Sequence, residues 1–155
     1  MGAICHGISQ ALYYGPTIWH DASFDCFGLL RLMRLKLVQL ERCLRDGATE
    51  NAPWFAKEIR RVIAALDRLI ANDYLSAEMA DIESKWGKCS YRSMPTGNPM
   101  LRELTVSRPR VQTPQHQERV NAEIRAAGER AYERKKADRR IVFDTIRDQY
   151  DYWWD

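Results

Sequence analysis

The residues most suited to chemistry lie between Lys85 and Arg110. Lys85, Lys88, Arg92, Arg102, Arg108 and Arg110 face a single acid there, Glu103. An arginine fork takes two phosphate oxygens at once, and a nearby aromatic face can stack on a base. Trp86, Lys88, Tyr91, Arg92, Arg102, Arg108 and Arg110 are therefore the candidate ligand-binding set, for a phosphate-bearing small molecule, provided that their side chains converge on one concave surface. The bland alternative is a solvated loop whose charge is met by the acidic tail, where Asp144, Asp148, Asp151 and Asp155 stand against Arg147.

A second basic run, Arg134, Lys135, Lys136, Arg139 and Arg140, is interleaved with Glu133 and Asp138. Arg134 precedes Asp138 by four, so a salt network along one helix surface is expected, with a phosphate-tracking face as the alternative. Carboxylate pairs at helical spacing, Glu78/Asp81 and Asp144/Asp148, read as solvated faces in preference to a magnesium site.

Classical catalytic patterns are absent. His6, His20 and His116 are scattered, and a zinc site from Cys5, His6, His20 and Cys26 has no familiar ligand spacing. Cys26 and Cys43 read as inert core residues. No glycine-rich phosphate loop, HExxH or GxSxG sequence occurs. No catalytic residue, metal or cofactor is proposed, and the chain reads as non-catalytic, with an enzyme of unrecognised site as the last alternative.

The chain ends Tyr150-Asp151-Tyr152-Trp153-Trp154-Asp155. Adjacent tryptophans on a helix project about 100° apart and would bury two surfaces. They dock either on the protein's own helices or, with Tyr150, Trp153 and Trp154, at a subunit or partner interface.

The elements that must position these residues are mostly helical. A short segment over Ala3–Tyr14 is expected to stop at Gly15-Pro16. Cys26, Leu30, Met33, Leu37, Leu40 and Leu44 recur at 4-3-4-3-4 and predict a helix over Ala22–Arg45, closed by Gly47. Leu29, Leu32 and Leu35 widen its apolar arc, as for a helix packed on two sides. Asn51 caps a second helix carrying Phe55, Ile59, Val62, Leu66 and Leu69, with Pro53 in its first turn. Leu75, Met79, Ile82 and Trp86 mark a shorter helix, capped by Asp73 or Ser76 and ended by Gly87. Cys89–Met94 and Leu101–Val106, around Pro95-Thr96-Gly97-Asn98-Pro99, predict a β-hairpin. Such a hairpin is marginal alone and needs the helices or another subunit to lean on. Thr113-Pro114 opens the last helix, with Val120, Ile124, Ala127 and Ala131 as a small-residue stripe.

The expected fold is thus mainly α: one helical domain over residues 1–155, with a basic connector and hairpin at 87–113 before a long C-terminal helix at 114–155. Composition agrees with a globular chain, at 45% apolar, 29% charged and net +3, too mild a charge to mark a nucleic-acid protein. The most apolar stretch, Phe24–Leu44, contains Arg31, Arg34, Lys36, Glu41 and Arg42, each costing about 2.5–3.5 kcal/mol at a bilayer centre, so no membrane partner is expected. No targeting signal is recognised, and four cysteines without a CxxC pair read as reduced thiols in cytoplasm.

Lys85-Trp86-Gly87, Ser107-Arg108-Pro109 and the Trp153-Trp154-Asp155 ending resemble small bacteriophage proteins. The resemblance covers the last half of the chain and carries no established activity. It implies a phage-type accessory protein in host cytoplasm, where such proteins counter defences by sequestering a nucleotide signal or blocking a host protein. Four readings follow: an anionic small-molecule binder, a protein-binding inhibitor, a nucleic-acid binder and an enzyme. A homo-oligomer is expected in each case.

Overall fold

A computed structural model describes the backbone of residues 2–20, 26–46, 51–98 and 100–153, and the side chains of 9–18, 27–46, 51–98 and 100–153. The fold is mainly α. The described residues form five helices, α1 (Gly2–His20), α2 (Cys26–Arg45), α3 (Ala52–Ala71), α4 (Ser76–Trp86) and α5 (Pro114–Gln149), with strands β1 (Ser90–Pro95) and β2 (Arg102–Ser107) before α5. A 3-10 turn, Tyr150–Trp153, follows α5. No helix among the described residues is long and apolar enough to cross a membrane.

The chain forms two compact units. One comprises residues 1–73 and 135–155; the other is residues 74–134. Helix α5 gives its first part to the second unit and its remainder to the first.

In the first unit α2 packs against both α1 and α3. A helix with neighbours on more than one side needs the wide apolar arc that α2 carries. The deepest burial falls on α3, where Ala56, Ile59, Val62, Ala65, Leu66 and Leu69 are enclosed as the 3–4 spacing predicts. Val142 of α5 is fully buried here as well. Polar ties fix the helices in place. Tyr14 Oη donates to Gln39 Oε1 at 2.6 Å, Arg34 pairs with Asp67, and Arg68 forms a two-pronged bridge to the buried carboxylate of Asp138 at 2.6 and 2.9 Å.

Several local expectations are corrected. Helix α1 runs through Gly15-Pro16 to His20. Pro16 lacks the N–H that would bond the carbonyl of Leu12, but Leu12 is 73% exposed, so water can take that carbonyl. Asn51 precedes α3 with no side-chain cap; its backbone carbonyl accepts from Trp54 and Phe55 instead. Leu75, not Asp73 or Ser76, is the residue before α4. Ala22 to Phe24 and Gly47 lie outside the described residues.

In the second unit Ile82 and Trp86 of α4 meet Val120 and Ala127 of α5, with Met79, Val111 and Ile124 packed around them. Thr113 caps α5 as expected, its Oγ1 accepting from His116 N at 3.1 Å.

Candidate functional site

The basic connector is best understood from the end of α4. The last carbonyls of a helix have no helical partner. Here each finds one. Gly87 N donates to Glu83 O at 2.8 Å. Arg110 Nη1 donates to Ser84 O at 2.7 Å and to Lys85 O at 3.1 Å, and Arg110 N to Trp86 O at 3.2 Å. Arg108 Nη1 donates to Gly87 O at 3.0 Å from a position only 8% exposed. Two arginines thus sit where the helix dipole is negative. Gly87 makes the close approach possible. Its φ is +87°, and a Cβ there would lie 2.9 Å from Pro109 Cδ.

Trp86 is likewise committed. It is a core residue, and its Nε1 donates to Glu123 Oε2 at 2.7 Å. The other oxygen of Glu123 pairs with Lys85. Lys85 first, and then the indole N–H, hold the Glu123 carboxyl below its usual range. Trp86 is therefore no stacking platform for a base; burial against Ile82, Val120 and Ala127 removes its face from solvent.

The remaining candidates lie on the hairpin. Its register pairs Ser90 with Ser107, Tyr91 with Val106, Arg92 with Thr105, Ser93 with Leu104, Met94 with Glu103 and Pro95 with Arg102. Opposed residues share a face, and successive residues alternate. Arg92 thus stands on one face with Ser90, Met94, Glu103, Thr105 and Ser107. Arg102 stands on the other with Tyr91, Ser93, Leu104 and Val106. Lys88 is exposed ahead of β1. The structure does not bring the predicted set together: Arg92 and Arg102 diverge, while Arg108 and Arg110 turn back to carbonyls.

Every residue of both strands is exposed. On one face Tyr91 is 68% exposed, Leu104 60% and Val106 51%, an apolar surface left uncovered by the described residues. The alternation of Leu104 and Val106 was the sequence signal for it. Thr96 and Asn98 close the turn, with Thr96 Oγ1 donating to Leu101 O at 2.9 Å and Asn98 Oδ1 accepting from Met100 N at 2.9 Å.

The other candidates are also placed. Trp153 is buried and lines a cavity with Met33, Leu37, Leu40 and Ile146 of its own unit, so this proposed interface residue docks inward. Tyr150 is half exposed, and Trp154 lies outside the described residues. In the tail Arg147 pairs with Asp144 at 3.2 Å and Asp148 at 2.7 Å. Glu78 is bridged by Arg130 and Arg134, which hold its carboxyl low. In the second basic run, Arg134 and Asp138 take partners from other segments: Arg134 goes to Glu78, and Asp138 to Arg68. Cys43 is exposed, not a core residue; the side chains of Cys5, His6, His20 and Cys26 lie outside the described set. Among the described residues no cluster of three or more His, Cys, Asp or Glu could hold a metal ion.

No family model, curated protein or solved structure matches this chain.

Proposed function

We propose that this protein is a non-catalytic binding module whose working surface is the β1–β2 hairpin, and that its partner is another protein. The observation that carries the reading is the exposed apolar face of Tyr91, Leu104 and Val106 on a ribbon whose two edges are unpaired among the described residues. Apolar side chains held in water on a regular frame forgo about 1.5–3 kcal/mol each that burial would release. A partner that adds a strand, or offers an apolar groove, recovers that free energy and satisfies the free edge amides. The phage resemblance makes a host defence protein the partner class we favour. A phosphate-bearing ligand on the connector draws less support, because Arg108 and Arg110 are spent on α4.

The test is affinity capture from a host lysate with the wild-type chain and with Tyr91→Ser/Leu104→Ser/Val106→Ser. A stoichiometric protein retained by the first and lost by the second supports the reading. Retention by both sinks it.

The opposite face supports a second reading. Arg92 stands there with Ser90, Thr105 and Ser107, and a two-stranded ribbon fits the DNA major groove. Duplex binding that weakens steeply with salt and is lost in Arg92→Ala would favour it.

A further inference from the structure

A pocket of about 270 Å³ opens in the first unit between α2, α3 and α5. Phe27, Leu30, Leu69 and Phe143 give it apolar walls, and Leu29 stands at it 60% exposed. Lys135 and Arg139, one turn apart on α5, also line it. Neither cation has a carboxylate within ion-pair distance among the described residues. Lys135 Nζ donates to the neutral amide of Asn72 at 2.6 Å, so no described carboxylate compensates its charge. Asp138, next to Arg139 in the chain, is already held by both prongs of Arg68. An apolar cavity bordered by two positive charges with no carboxylate partner among the described residues is complementary to one chemical class: a small amphiphile with an apolar body and a single anionic head. Ligand pockets span about 300–1,000 Å³, so this one suits a molecule near the lower end of that range, on the order of ten heavy atoms.

We propose that this pocket binds a free, medium-chain anionic amphiphile, its chain against Phe27, Leu30, Leu69 and Phe143 and its acid group on Arg139 and Lys135. The site is independent of the hairpin. Octanoate is the probe, and 1-octanol is the neutral control of equal chain length. Titration calorimetry should give a Kd near or below about 1 mM for octanoate on the wild-type chain. Arg139→Gln/Lys135→Gln should weaken octanoate about tenfold or more, the effect expected for lost charge-assisted hydrogen bonds, and leave 1-octanol unchanged. Leu29→Trp, at an exposed position, should obstruct the entrance and weaken both. Melting curves establish that each variant is folded. The proposal is overturned if octanoate does not bind, if it binds both cation-free and wild-type chains equally, or if Leu29→Trp leaves binding intact. Sedimentation with phosphatidylglycerol vesicles that depends on Arg139 and Lys135, without octanoate binding, would assign the cations to a lipid surface and also overturn it.

Discussion

Single residues carry the clamp at the end of α4. Gly87→Ala places a side chain at φ +87° and a Cβ 2.9 Å from Pro109. A strained backbone of this kind costs about 1–3 kcal/mol, so the melting temperature should fall by several degrees, as scanning calorimetry would measure. Arg110→Ala removes the donors to Ser84 and Lys85 carbonyls and should cost about 1–2 kcal/mol by denaturant titration, with Arg110→Lys only partly restoring it. Glu78 gives the chain a pH dependence. Arg130 first, and then Arg134, lower its pKa below the ordinary 4.5. Its contribution to stability is therefore complete above about pH 4.5 and is lost as pH falls through the lowered folded value. The melting temperature of Glu78→Gln should accordingly drop less than wild type between pH 5 and pH 3.

At the scale of elements, the stripes of α3, α4 and α5 were legible in the sequence because periodic burial sets their residue types. Ile59, Val62, Leu66 and Leu69 are enclosed as their spacing requires, and Val120, Ala127 and Ala131 likewise. The hairpin was legible to within a residue at each strand, from its turn chemistry. What the sequence withheld was direction. Arg92, Arg102, Arg108 and Arg110 look alike in a string, yet strand alternation sends the first two to opposite faces and Pro109 turns the other two onto helix carbonyls. The covered or uncovered state of the Tyr91 face was equally hidden, because alternating apolar residues read the same whether a helix packs on them or not. The expected consequence is that Tyr91→Ser/Leu104→Ser/Val106→Ser changes the stability of the free chain by no more than about 0.5 kcal/mol per site, the range for exposed positions. By contrast Trp153→Ala removes a buried indole and should cost about 3 kcal/mol, on the order of 10 °C in melting temperature.

Across the whole molecule, many of the charges hold elements together, and the connector's Arg108 and Arg110 are spent on helix carbonyls. Arg68, Arg130, Arg134 and Arg147 serve Asp138, Glu78 and the tail. The apolar hairpin face is served by nothing in the described chain. Amide hydrogen exchange over 90–107, measured on the free protein and on its complex with the captured partner, tests this most directly. The account predicts rapid exchange at the outer edge of at least one strand in the free chain, and protection of that edge and of the Tyr91–Val106 face on binding. Slow exchange at both edges before any partner is added, or an unchanged hairpin with protection appearing elsewhere, would contradict it.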